Sequence, residues 1–229
     1  MDTFAFLLHF ATILVVFDSQ TSGYDIDYSL ECNPGYRLAS FRRSPSINNV
    51  IGALTVECEL IEPSPELVTC ERLQSVPQCS GITEGCSGNS WIGGFHAYVI
   101  ENTTEAILLE PICCSSTNVK IDEMSCIRDR INIALSKFDH SIAQDLVYRG
   151  IQCWHQYNEN NVLFDLIWKA EICSFHSQYA TAKRLGCRDC DCKCGIHQCT
   201  NYRYPVRIVH KHYSSSSCGC TCNCAFKCF

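Results

Sequence analysis

The residues best suited to chemistry in this 229-residue chain are its cysteines, 20 in all. From Cys187 onward they crowd into two runs: Cys187, Cys190, Cys192, Cys194 and Cys199, then Cys218, Cys220, Cys222, Cys224 and Cys228. Gaps of 3, 2, 2 and 5 in the first run echo gaps of 2, 2, 2 and 4 in the second, as in a duplicated unit. Two chemistries suit such spacing. As thiolates, Cys190, Cys192, Cys194, Cys220, Cys222 and Cys224 form a soft donor set for Zn²⁺ or Cu(I), with His197, His210 or His212 assisting. As disulfides they must pair across strands. Alternate residues of one strand sit roughly 6.5–7 Å apart, whereas opposed residues on antiparallel strands lie about 4.5–5.5 Å apart, within bridging reach. An oxidising secretory route favours the disulfides, with a metal-binding tail as the alternative.

The other ten cysteines are widely spaced, and they set out a repeat. Cys32 to Cys58 spans 26 residues, Cys86 to Cys113 spans 27 and Cys126 to Cys153 spans 27, with Phe41 and Phe95 each nine residues after the opening cysteine. The expected bridges are therefore Cys32 with Cys58, Cys86 with Cys113 and Cys126 with Cys153, each closing one repeat. His96, His140, His155 and His176 would make a shared site only if the repeats brought them together. Trp91, Trp154 and Trp168 suit either core packing or a carbohydrate platform. The chain has no His-Glu-x-x-His, no Gly-x-Ser-x-Gly and no phosphate-cradling glycine loop. Cys86-Ser-Gly-Asn-Ser90-Trp91 resembles the nucleophile segment of papain-like proteases, but Ser90 stands where the cysteine would be. The expectation is a protein without enzymatic activity or cofactor.

The elements that must position these residues read as strands. In the stretch from Asp165 to Cys173, Leu166, Trp168, Ala170 and Ile172 alternate with Ile167, Lys169 and Glu171, the period-two signature of a half-buried strand. The approaches to Cys153, Cys113 and Cys58 alternate in the same way, and Pro111 marks its strand as an edge candidate. β-Branched and aromatic residues dominate the apolar runs, and polar loops such as 158–161 separate them. The predicted fold is mainly β, a disulfide-stapled domain of three to four similar strand-pair repeats with a Cys-rich C-terminal appendage. One such unit cannot bury its own apolar face, so the repeats must stack or close on one another.

Organisation and compartment follow. The apolar block from Phe4 to Phe17, shorter than the roughly 20 residues of a membrane helix, precedes small polar residues and reads as a secretory signal over 1–23. The mature chain then divides into a β-repeat domain over 24–186 and a basic tail over 187–229, with no further span. The tail carries a net charge of +4 within a total of −6, leaving an acidic body. Asn102-Thr103-Thr104 is the N-glycosylation sequon. Cysteine content and signal together place the protein outside the cell, and an acidic body does not suit nucleic acid.

Two stretches carry a family resemblance: Trp91-Ile-Gly-Gly-Phe95-His96-Ala-Tyr98 running to Cys113, and Ile133-Ala-Leu-Ser136-Lys-Phe138-Asp-His140 running through Asp145 and Tyr148 to Cys153. Each has an opening strand, a polar loop, an acid and a strand closing on cysteine. This pattern resembles the repeats of the dermatopontin family of extracellular-matrix proteins and related invertebrate lectins. The resemblance implies a secreted matrix or interaction protein that binds a glycan or another extracellular protein.

Overall fold

The structure is a computed structural model that describes residues 24–46, 49–100, 106–134, 136–177, 205–213 and 220–228, together with Tyr179, Cys192 and Cys194. The expected signal at 1–23 and the sequon at Asn102 lie outside these residues. Thirteen strands are present among the described residues, and the fold is mainly β. They are β1 (Tyr24–Glu31), β2 (Tyr36–Ser46), β3 (Asn49–Leu60), β4 (Val68–Arg72), β5 (Glu84–Gly85), β6 (Ser90–Ile100) and β7 (Ile107–Ser116). They continue as β8 (Val119–Arg130), β9 (Phe138–Ser141), β10 (Leu146–Tyr157), β11 (Leu163–Ser177), β12 (Pro205–Tyr213) and β13 (Cys220–Cys228).

Three sheets form, each around one hairpin: β13-β12-β3-β2-β9, β1-β6-β7-β4 and β5-β10-β11-β8. Taken four at a time, strands β1–β4, β5–β8 and β9–β12 are three repeats, and in each the middle two pair as the hairpin. The outer two leave. β1 and β4 flank the hairpin of the second repeat, β5 and β8 that of the third, and β9 and β12 that of the first. The exchange is cyclic, so every sheet needs two repeats and no repeat is complete alone.

Registers and hydrogen bonds obey the same rule. Tyr36, Ser90 and Leu146 open the hairpins opposite Leu60, Ser115 and Ser174. Each follows a turn closed by a backbone bond, from the N–H of Tyr36 to Asn33, of Ser90 to Ser87 and of Leu146 to Ala143. Each second strand then has a bulge, after Leu38, Ile92 and Tyr148. The bulge carbonyls accept from the neighbouring repeat: Cys32 N–H donates to Gly93, Cys86 N–H to Arg149 and Ile142 N–H to Ala39. Glycine is required at two of these points. In the first turn Pro34 presets φ and Gly35 supplies a φ of +89°, where a Cβ would also run into the Glu62 carbonyl. At the second bulge a Cβ on Gly94 would stand 2.5 Å from the Leu30 oxygen.

All three sheets turn apolar residues into one core. Leu38, Phe41 and Val56 meet Leu30, Ile92 and Phe95, and Tyr148, Ile151, Leu166, Trp168, Ala170 and Ile172 close it. The alternation read in β11 is thus the core face of that strand. Phe41 and Phe95 hold equivalent places, with rings 5.6 Å apart, and Ile151 is the third. A buried charge pair crosses this core: Arg43 grips Asp165 through two bonds of 3.0 Å and donates to the Ser136 carbonyl. Its guanidinium also lies over the Phe138 and Trp168 rings. Pro111 is in an inner strand rather than at an edge, because β4 ends opposite Ile112 and leaves no partner that would need a Pro111 N–H.

Seven disulfides join described residues. Cys32 pairs with Cys58 and Cys86 with Cys113, each tying the start of a hairpin to its third strand. Cys126 does not pair with Cys153. It bridges to Cys173 across β8 and β11, as Cys70 bridges to Cys114 across β4 and β7, while Cys153 takes Cys79 from the segment between β4 and β5. In the third repeat the places of the first two bridges are held by Ile142 and Ile172, four residues before Leu146 and opposite Tyr148. The repeat therefore opens at Ile142, and the spacing of Cys126 to Cys153 belongs to no repeat. Nor are the stretches from Trp91 and Ile133 equivalent, since the first is a hairpin and the second runs through β9 and β10.

The tail completes the first sheet. β12 runs parallel to β3, where β4 and β8 run antiparallel in the other sheets, and β13 pairs with β12. Lys211 Nζ reaches Glu57 at 2.7 Å, and the Asn33 N–H donates to His210 Nε2 at 2.9 Å. Burial lowers the His210 pKa below its ordinary 6.5. The neutral ring stabilises the docked strand fully above about pH 6.5, and that contribution is lost as pH falls through the depressed folded value. The protection factors of the β12 amides, corrected for the pH dependence of intrinsic exchange, are expected to fall as pH drops below about 6.5. A His210→Gln variant should lack the step. An unchanged step in that variant would assign the effect elsewhere.

Candidate binding clefts

The opening turns and the ends of the third strands place equivalent residues at one rim of each repeat. In the second repeat they enclose a cleft of about 240 Å³ lined by Thr69, Glu71, Ser87, Ser90 and Ser115, with the Cys86–Cys113 bridge beside them. Ser90 and Thr69 both stand opposite Ser115, on β6 and β4, so three hydroxyls lie in a row across three strands. Inter-strand spacing sets them about 4.8 Å apart, on one face. Glu71 stands opposite Cys113 and is exposed. Among the described residues none of these five side chains has a hydrogen-bond or ion-pair partner. They are presented to solvent on a frame held by Cys70–Cys114 and Cys86–Cys113.

The same rim differs in the other repeats. In the first it forms a cleft of about 450 Å³ in which Asn33, Tyr36 and Leu60 replace Ser87, Ser90 and Ser115, with Pro34, Pro63 and Pro65 around them. His210 takes the place of Glu71, opposite Cys58, and stacks edge-on to Tyr36 at 5.0 Å, so this position is filled from within the chain. Glu62 there is also engaged, accepting from Ser64 N–H and Ser116 Oγ. In the third repeat Ala143 and Leu146 replace the two serines, and the Ser174 hydroxyl bonds Ser125 at 2.6 Å. Among the described residues, only the rim of the second repeat combines a hydroxyl row with an unpaired acid.

A second polar cluster borders the cleft and is already satisfied. Arg72 Nη2 donates to Glu110 Oε2 at 2.8 Å and to Tyr98 Oη at 2.7 Å; the Tyr98 hydroxyl donates to Glu110 at 2.6 Å, and Gln74 N–H donates to its other oxygen. Burial raises the Glu110 pKa, but the bonds from Arg72, Tyr98 and Gln74 outweigh it and hold the carboxyl below its usual range. Burial and the Glu110 bond push the Tyr98 phenol up to about 12. The cluster is a strut that fixes β4 to β6 and β7.

The other residues singled out in the sequence fall elsewhere. Cys192 is bonded to Cys222 and Cys194 to Cys224, so four of the six sulfurs expected as metal ligands are consumed in disulfides, as the oxidising route favours. Cys190 and the Cys220 side chain lie outside the described residues. The one donor group close enough for a metal among the described residues, Cys126, Glu171 and Cys173, includes a disulfide and offers no thiolate pair. The histidines are not brought together: His96 meets Ser29 and Tyr98, His140 meets Tyr148 and Asp129, and His155 meets Tyr157, while His176 is exposed. Trp91 and Trp168 are buried, and Trp154 packs under Gly81 with Lys169 over its ring, so they form no common platform. Sequence reasoning missed Thr69, Glu71, Ser87 and Ser115, whose types are ordinary on any surface. No protein-family model, curated protein or solved structure matches the chain, and its site must be read from these residues.

Proposed function

We propose that this is a secreted, non-enzymatic matrix or interaction protein that binds a glycan in the cleft of the second repeat. The observation that carries this is the row of unengaged hydroxyls, Thr69, Ser115 and Ser90, beside Ser87 and Glu71. Hydroxyls on rigid strands both donate and accept, as sugar hydroxyls require, and they lose little freedom on binding. The seven disulfides support an extracellular setting, and among the described residues no helix is long and apolar enough to cross a membrane.

A glycan array should return specific binding to the folded, oxidised protein. The triple variant Ser87→Ala, Ser90→Ala, Ser115→Ala should weaken it by roughly 10-fold to 1,000-fold, since three hydrogen bonds are lost at about 0.5–1.5 kcal/mol each. Binding untouched by the triple variant would move the site away from this cleft.

A further inference from the structure

We infer that Glu71 makes this cleft selective for a sugar that carries a free amino group. The inference rests on the cleft being a glycan site. Of the two charged residues that line it, Arg72 is bound to the Glu110 carboxylate, whose side chain is fully buried. Arg149, which donates to the Cys86 carbonyl behind the cleft, is bound to Glu123 at 2.6 Å. Both nearby cations are therefore neutralised, and Glu71 leaves the cleft with one uncompensated negative charge on an already acidic body.

A ligand that covers Glu71 displaces its water, and covering an unpaired carboxylate is costly unless the ligand brings a cation. A protonated amine on the sugar supplies it, while the hydroxyl row holds the ring. Sulfated, sialylated and uronic-acid glycans are repelled by the same charge, and N-acetylation removes the cation. The contrast with the first repeat points the same way. At the equivalent place His210 presents a ring nitrogen that accepts from the Asn33 N–H, and the cleft there is lined by prolines, Leu60 and Tyr36. The acid is particular to the second repeat, alongside the hydroxyls.

The test compares a β-1,4-linked glucosamine oligomer with the same oligomer fully N-acetylated, at about pH 5.5, because the acetal and hydroxyl oxygens beside the sugar amine draw its pKa below the α-amino range of about 7.7–8.0 and the amine must be protonated. Titration calorimetry of the oxidised full chain should show the free-amine oligomer binding about tenfold more tightly, the factor that separates a charge-assisted from a neutral hydrogen bond. Glu71→Gln, an exposed substitution with no partner to lose, should abolish the difference, weakening the free-amine oligomer and, with no carboxylate left to cover, binding the acetylated one at least as tightly. Equal binding of the two oligomers, or a preference that survives Glu71→Gln, overturns the amine selection while the glycan reading stands. Preferential binding of a lysine peptide, or no binding of any glycan on the array, overturns both.

Discussion

Replacing Asp165 by leucine is expected to destabilise the fold by about 3–5 kcal/mol, because it strands the Arg43 charge in the core. Both side chains are essentially inaccessible, at 1% and 0% exposure, and both guanidinium bonds to the carboxylate measure 3.0 Å. The loss is a large share of the ordinary stability of a domain, about 5–15 kcal/mol. The pair joins strand β2 of the first repeat to β11 of the third, so its failure separates two sheets rather than loosening one. The cost is that of an unpaired charge, and the double variant Arg43→Met, Asp165→Leu should recover most of it, with Met lying along the Phe138 and Trp168 rings that now face the guanidinium. Urea titrations of the two variants check this. A single variant within about 1 kcal/mol of the parent would mean that water reaches the site.

The period-two pattern of β11 and the placing of Phe41 and Phe95 were legible because they are local consequences of strand geometry. Two of the observed bridges, Cys32–Cys58 and Cys86–Cys113, have the spacing read from the chain, since a hairpin of fixed length separates their ends. The third repeat was illegible for a physical reason: Ile142 and Ile172 fill by burial the place that a disulfide fills elsewhere. With that marker gone, Cys126 and Cys153 offered a false copy at the right distance. The cyclic exchange of outer strands leaves no local trace either, because β1 meets β6 and β9 meets β2 across long stretches of chain. The candidate cleft shares this difficulty. Serine and threonine carry no periodic signal, and only the register of β4, β6 and β7 sets Thr69, Ser90 and Ser115 side by side. His210, named only as an assisting ligand in the alternative metal reading of the tail, is the acceptor that docks the tail.

Removing the Cys79–Cys153 bridge, as Cys79→Ser with Cys153→Ser, is expected to cost about 4 kcal/mol and to weaken glycan binding as well. The bridge closes a loop of 74 residues, the longest among the described disulfides, so its entropic constraint on the unfolded chain is the largest. Its native role is as specific. Between β4 and β5 the chain has little regular structure, and Cys79 is held beside β10 with help from the antiparallel bridge of Ser80 to Trp154, the Gly81 N–H bond to the Cys153 carbonyl and the Gln152 bond to Thr83. The two-residue strand β5 follows directly, and then Gly85, Cys86 and Ser87, which wall the cleft. Releasing Cys79 loosens that wall without touching a lining side chain. The stability loss should thus come with a lower affinity for the glycan at temperatures where the variant is still folded. The Cys32–Cys58 pair serves as the control: its double serine variant should also lower stability, by about 3–4 kcal/mol for its 26-residue loop, but leave the affinity unchanged. Equal affinity in both variants would show that the wall is held by β5 and β10 alone.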